Sequence, residues 1–277
     1  MAPPRNVPAL KRAIRLLCSS NEEAAHYQLI MANVVAGQFL NGAVMRGGAS
    51  LKLRYGDDTT RYTMDFDASR SMSEDEFVEC YSRALAEGWG GFTGRLVREK
   101  KPRPRGVPDQ YVMQPFEIKL AYMNRPWCTV DFELSYNEVG DADYYDIVPL
   151  PRGVISLFKN LSLPEPNPFP LMKISHQIAQ KLHGLTDPDY VRVQDLIDLQ
   201  IMAANEKLDL SEIRGICIRL FANRRKHFWP PKFIVNSDEW RIAYDALKAG
   251  LPVLSTFEDA KSWAKELIER IDAQNGK

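Results

Sequence analysis

The chain has 277 residues, 45% hydrophobic and 26% charged, with 36 Lys+Arg balanced by 36 Asp+Glu. Such a chain can bury one large or two modest cores, which excludes a disordered protein and one drawn to nucleic acid by bulk charge. The cysteines Cys18, Cys80, Cys128 and Cys217 form no CxxC pair, and no apolar run approaches the roughly 20 residues of a membrane span, so a cytoplasmic protein without membrane contact is expected.

Residues 8–41 read as two helices, the second opening at Ser20 with Glu23 three residues on, the spacing of a capping box. Ala43 to Arg46 reads as a strand running into Gly47-Gly48 and a short helix through Leu51, Leu53 and Tyr55. Thr63 to Ala68 reads as a second strand. Ser73 opens a helix whose first turn, Glu74, Asp75 and Glu76, suits the positive end of the helix dipole. Phe92 to Arg98, Tyr111 to Met123 and Trp127 to Tyr136 follow as strands, so a mixed sheet with helices on one side is expected.

Prolines 164, 166, 168 and 170 in LSLPEPNPFP forbid a helix or a central strand and mark a stiff connection. Helical patterns fill the rest: Leu171 to Gly184, Tyr190 to Asn205, Ser211 to Arg225, Asp238 to Ala249 and Phe257 to Ala273. The sequence therefore predicts an α+β domain over residues 1–160 and an all-helical domain over 170–277.

In Thr63-Met64-Asp65-Phe66-Asp67-Ala68 the period-2 geometry of a strand sends Met64, Phe66 and Ala68 to the core and Thr63, Asp65 and Asp67 to the other face. Two carboxylates about 7 Å apart along one face can converge on a metal ion or a metal pair, although a solvated strand face has the same pattern. The parity recurs in Val130-Asp131-Phe132-Glu133-Leu134, where Asp131 is the candidate third carboxylate and Glu133 shares its face. Gly47-Gly48 opens a helix, so its backbone N–H groups are candidates to hold phosphate, with the Ser50 hydroxyl pointing to the same place. Arg61 either contacts phosphate or pairs with Asp57 or Asp58.

In the helical half Lys181 interrupts the apolar stripe of Leu171, Ile174, Ile178 and Leu185, and Asp195 interrupts that of Val191, Leu199 and Met202, with Asp198 one turn on. An interhelical ion pair accounts for both interruptions. The functional reading gives Lys181 the triphosphate and gives Asp195 the task of holding it or acting as base, and the two readings are compatible. Two basic tracts, Arg95 to Arg105 and Asn223 to Lys232, the second interleaved with Phe228 and Trp229, suit RNA or solvated loops. There is no HExxH, GxSxG or GxxxxGK[ST], so zinc hydrolase, serine hydrolase and P-loop chemistry have no support.

The series GGASLKLRYG, RYTMDFD, QKLHGL and RVQDLIDLQ, spanning about residues 43–203, resembles the AbiEii/AbiGii nucleotidyltransferase toxin family, which includes the mycobacterial MenT toxins. The resemblance implies a DNA polymerase β-like nucleotidyltransferase fold with an added helical domain, NTP as substrate, Mg²⁺ as cofactor and a cognate antitoxin encoded nearby. Several MenT-type members modify the 3′ end of tRNA and block translation. Carried over, the pattern assigns phosphate to Gly47, Gly48 and Ser50, Mg²⁺ to Asp65 and Asp67, and catalytic roles to Lys181 and Asp195. Ala49 stands where the family commonly has a hydroxyl residue, and Gln194 where an arginine commonly precedes Asp195, with Arg192 nearby.

Three functions are therefore weighed. The first is an Mg²⁺-dependent toxin that transfers NMP to an RNA 3′ hydroxyl, most simply the tRNA acceptor end. The second keeps the chemistry and uses a protein or small-molecule hydroxyl. The third is a non-catalytic binding protein, which has no need of Asp65, Asp67 and Lys181.

Overall fold

A computed structural model describes residues 2–63, 65–103, 111–235 and 237–274. Met64 and residues 104–110, the end of the first basic tract among them, lie outside the described residues. Along the first part of the chain stand α1 (Val7–Leu16), α2 (Asn21–Gln38), β1 (Ala43–Arg46), α3 (Gly47–Tyr55), β2 (Phe66–Arg70) and α4 (Glu74–Glu87). They are followed by β3 (Phe92–Arg98), β4 (Gln114–Tyr122), β5 (Arg125–Ser135), β6 (Tyr145–Asp146), α5 (Arg152–Asn160) and β7 (Leu171–Met172). The remaining helices are α6 (Ile174–Leu185), α7 (Val193–Asn205), α8 (Leu210–Arg224), α9 (Asp238–Leu247) and α10 (Phe257–Asp272).

The strands form one mixed sheet in the order β3-β4-β5-β2-β1-β7-β6, with β2 antiparallel to β1 and parallel to β5. Aromatic packing sets its register. Phe66 on β2 and Phe132 on β5 are register partners whose ring centroids lie 5.3 Å apart, and Phe77 and Tyr81 of α4 pack at a tilt against Phe132. Burying each such ring contributes about 1.5–3 kcal/mol. A one-residue slip would exchange these rings for Asp67 and Glu133, so the same packing that builds the core commits the carboxylates to the opposite face.

Most of the anticipated elements form, and their ends follow local chemistry. Ser20 caps α2 by accepting from the Glu23 amide at 3.0 Å, but the Glu23 carboxylate returns to Ser19 instead of the Ser20 N–H, so only half of a capping box is made there. The reciprocal box forms one helix later, between Ser73 and Glu76. The proline segment is extended and tied to α2: Asn167 exchanges hydrogen bonds with Gln38, and Phe169 is buried against Gly37.

Three expectations are corrected. Leu171 and Met172 do not start a helix; Leu171 pairs with Met45, whose amide bonds to Pro170 O at 2.9 Å, so a two-residue strand delays α6 to Ile174. The short helix α5 was not anticipated, because two prolines and a glycine around its start mask an apolar stripe of Val154, Leu157 and Phe158. The division of the chain is also not a single cut after the prolines. One compact unit comprises Met1–Gly56, Thr63–Asn137 and Ala142–Leu171; the other comprises Met172–Lys277 together with Asp57–Tyr62 and Glu138–Asp141.

Both borrowed segments are held in the second unit by buried polar groups. Arg61 meets Asp198, Glu138 is gripped by Arg224 at 2.5 and 2.8 Å, and Asp141 accepts from Gln180 at 2.7 Å. Isolated Asp, Glu and Arg in a loop give no sequence sign of such distant partners.

Candidate active site

In the first unit β1 ends at Arg46, and the chain turns at Gly47 directly into α3. Gly47 has φ +71°, and a Cβ there would lie 2.7 Å from Asp67 Oδ2, so both its conformation and its neighbour require glycine. The start of α3 is thus laid against the second carboxylate of the acidic strand. No side chain caps this helix among the described residues, which leaves its first turn of backbone N–H groups at the place where an anion is favoured.

Ser50 is fully buried, and its hydroxyl donates to Gly47 O at 3.1 Å, a bond within the first turn that stabilises the glycine turn.

Asp65 is exposed and immediately precedes β2, while Asp67 lies within it. Asp67 is the register partner of Arg46 on one side and of Glu133 on the other. Asp131, expected as the third carboxylate, is exposed on the same face but pairs with Glu117 on β4. Glu133 is the carboxylate beside Asp67. Partial burial and then the negative charge of Asp65 push its carboxyl above the usual range, opposed by Arg46. Strand parity had already placed Glu133 on this face, and the register sets it beside Asp67.

Arg46 was missed. Its guanidinium donates to Ser135 Oγ at 3.0 Å and to Ser69 Oγ at 3.3 Å, and the two hydroxyls are 2.7 Å apart, so a cation is fixed among the acids by a small polar network. The available signal was its position, one residue before the double glycine at the end of a strand.

This donor set fits Mg²⁺. Among the described residues no three His, Cys, Asp or Glu side chains form a preformed metal cage. Mg²⁺ does not need one, because it keeps several waters and takes one or two carboxylates together with substrate phosphates. Asp65 and Asp67, with Glu133 beside Asp67, supply the oxygens and the negative potential that such an ion would answer.

The second unit carries a separate charged cluster. Lys181 on α6 is buried, and its Nζ donates to Asp198 at 2.6 Å and to Asp195 at 3.1 Å, both on α7. Asp198 accepts in addition a two-pronged bond from Arg61, at 3.0 and 3.1 Å, and Asp195 accepts from Arg192 at 2.5 Å. The order is Arg61, Asp198, Lys181, Asp195, Arg192, alternating in sign and carrying one excess positive charge. Arg61 therefore takes neither Asp57 nor Asp58 and is committed to Asp198.

Burial alone would pull the Lys181 ammonium down, but Asp198 and Asp195 outweigh it and hold it above the ordinary lysine value. Burial likewise favours neutral Asp195, and Lys181 and Arg192 overcome it, keeping the carboxylate ionised. With both oxygens so engaged Asp195 is suited to hold the lysine, not to accept a proton. Two of the three Lys181 N–H donors are used, and the third is available to a ligand. Gly184, three residues on, permits the arrangement, since a Cβ there would lie 2.5 Å from Asp195 Oδ2.

Comparison with known proteins agrees with this picture. A family described as nucleotidyl transferase AbiEii toxin, type IV toxin–antitoxin system, matches residues 29–266. Among solved structures MenT4, a nucleotidyltransferase toxin from Mycobacterium tuberculosis H37Rv, aligns over 96% of this chain and 90% of its own, with TM-score 0.61 and 16% identity, which establishes a shared fold. A candidate nucleotidyltransferase from H. pylori aligns over 91% and 96%, with TM-score 0.49 and 16% identity. No curated protein sequence matches.

Proposed function

The chain belongs to the AbiEii nucleotidyltransferase toxin family, and from that premise we propose that it transfers NMP from an NTP to the 3′ hydroxyl of an RNA, the tRNA acceptor end above all, and so stops translation. The observation that supports this reading is the approach of Gly47 to Asp67, which brings the uncapped start of α3 beside a carboxylate of β2. A nucleoside triphosphate needs those two recognition elements side by side.

Asp65 and Asp67 hold Mg²⁺ in this reading, with Glu133 more suited than Asp131 to complete the set. When bound, the ion neutralises triphosphate charge and orients the reacting oxygens. The N–H groups of Gly47 and Gly48 bind phosphate oxygens, and Arg46 limits repulsion among the acids. Lys181 keeps the catalytic role that the family pattern assigns to it, and Asp195 and Asp198 are positioning residues that keep it charged. Type IV family membership implies a cognate antitoxin as partner.

Purified protein supplied with each labelled NTP and total tRNA should label tRNA, and Asp67→Ala should abolish the label. Label passing to protein in an RNase-treated lysate, with tRNA unlabelled, would replace RNA by a protein acceptor.

A further inference from the structure

The second basic tract lies outside the clusters above, on the connection between α8 and α9. Phe228 at its centre is 88% exposed, an extreme value for phenylalanine, and Tyr190, before α7, is 60% exposed. The tract reaches Tyr190 through a cation: the Lys226 ammonium sits 6.0 Å from the Tyr190 ring centroid, and Phe228 follows Lys226 two residues on.

The segment that displays Phe228 is fixed on both sides. His227 packs on Phe221 and His183, at 4.9 and 4.6 Å between centroids, and its Nε2 lies 2.8 Å from Thr186 Oγ1. On the other side the Trp229 indole donates to Asp272 at 2.9 Å and meets Phe221 edge-on. A ring held between two anchored neighbours and still turned to solvent is a prearranged contact surface.

Charge narrows the partner. Residues 224–232 contain Arg224, Arg225, Lys226 and Lys232 and no acid. Glu138 neutralises Arg224, and Asp187 and Asp189 more than answer the charge of Lys226, which leaves Arg225 and Lys232 as the exposed cations flanking Phe228 in the chain. Flat apolar faces bordered by cations match a chain that offers π-faces and phosphates in alternation. A duplex keeps its bases stacked on one another, so a single strand is required.

We propose that Tyr190 and Phe228, bordered by Arg225, Lys226 and Lys232, form a stacking platform for unpaired bases near the 3′ end of the acceptor RNA. The proposal rests on the RNA reading above and adds where and in what form the RNA is gripped.

The test is binding of a fluorescent single-stranded RNA with a free 3′ hydroxyl, and of the same sequence in a blunt duplex, to the full chain. The single strand should bind more tightly, with affinity falling as salt rises. Phe228→Ala and Tyr190→Ala should each weaken it about tenfold at unchanged unfolding midpoint, since stacking is worth about 1–3 kcal/mol per base. Phe228→Trp should restore it, which a loss of mere bulk would not explain. Equal affinity for duplex and single strand, or unaltered binding by the double alanine variant, overturns the platform. If wild type and double variant then label tRNA equally, the function stands without the platform; if neither labels tRNA and the label goes to protein, both fall.

Discussion

The two charged clusters hold their charges in opposite ways. On the sheet face Asp65, Asp131 and Glu133 are exposed, and like charges stand side by side with Arg46 as the local counterweight. In the helical unit the charges of Lys181, Asp195 and Asp198 are buried and alternate strictly in sign. The first cluster sets like charges side by side, an arrangement that contributes little to folding. The second is complete in itself, so its members are needed to keep the protein folded before they are needed by a substrate. Substitutions should separate the two.

The largest separation is expected at Asp67. Asp67→Asn removes a carboxylate proposed to hold the metal and should lower transfer about a thousandfold or more, the equivalent of several kcal/mol of charge stabilisation. The unfolding midpoint should stay level or rise, because a repulsive neighbour of Glu133 has gone. A clear loss of stability would show that the acidic face is structural and would break the contrast.

Lys181→Met should do the reverse. Removing one partner from a buried network costs up to about 3–5 kcal/mol, less here because Arg192 still pairs with Asp195 and Arg61 with Asp198. Denaturant unfolding should show the loss with no substrate present. Activity would fall as well, so the midpoint is the decisive readout; an unchanged midpoint would mean that the network is not buried in solution.

A middle case is Gly47→Ala, which touches both conformation and charge. The left-handed backbone alone costs about 1–2 kcal/mol for a residue with a Cβ, and the methyl also displaces the Asp67 carboxylate it would meet. Because small misplacements of reacting groups cost up to about 100-fold in rate, the loss of transfer should be far larger than the modest loss of stability suggests. An active Gly47→Ala would remove the observation on which the proposed function rests most.

The same contrast explains what could be read from the sequence. Strand parity exposed the acidic face because it is periodic and local, and the Lys181 and Asp195 interruptions were visible because they break an apolar stripe. Arg61, Glu138 and Asp198 could be placed only through partners 137, 86 and 17 residues away. The inward bond of Ser50 was illegible for a related reason: a hydroxyl near a helix start looks the same in sequence whether it faces a ligand or its own first turn. Glu133 and Asp131 were equivalent by parity, and only sheet register shows that Glu133 stands beside Asp67.

The smallest expected effect sharpens the picture of the helical unit as one that tolerates charge only where it is paired. His183 is buried against Phe221, with its ring 4.8 Å away, and near Arg224. Burial first, and then the nearby cations Arg224, His227, Arg192 and Lys226, push its pKa from 6.5 down to about 2. His227 is shifted in the same direction. The native imidazole therefore stays neutral where the unfolded one, with a pKa of about 6.5, takes a proton. Stability is complete above that pH and falls as the pH drops, by up to about 1.4 kcal/mol per pH unit for each such histidine. His183→Phe should flatten the slope of unfolding free energy between pH 6.5 and 5 while leaving stability at pH 8 nearly unchanged. An identical slope in wild type and variant would mean that His183 reaches water and that the helical unit accepts an unpaired charge after all.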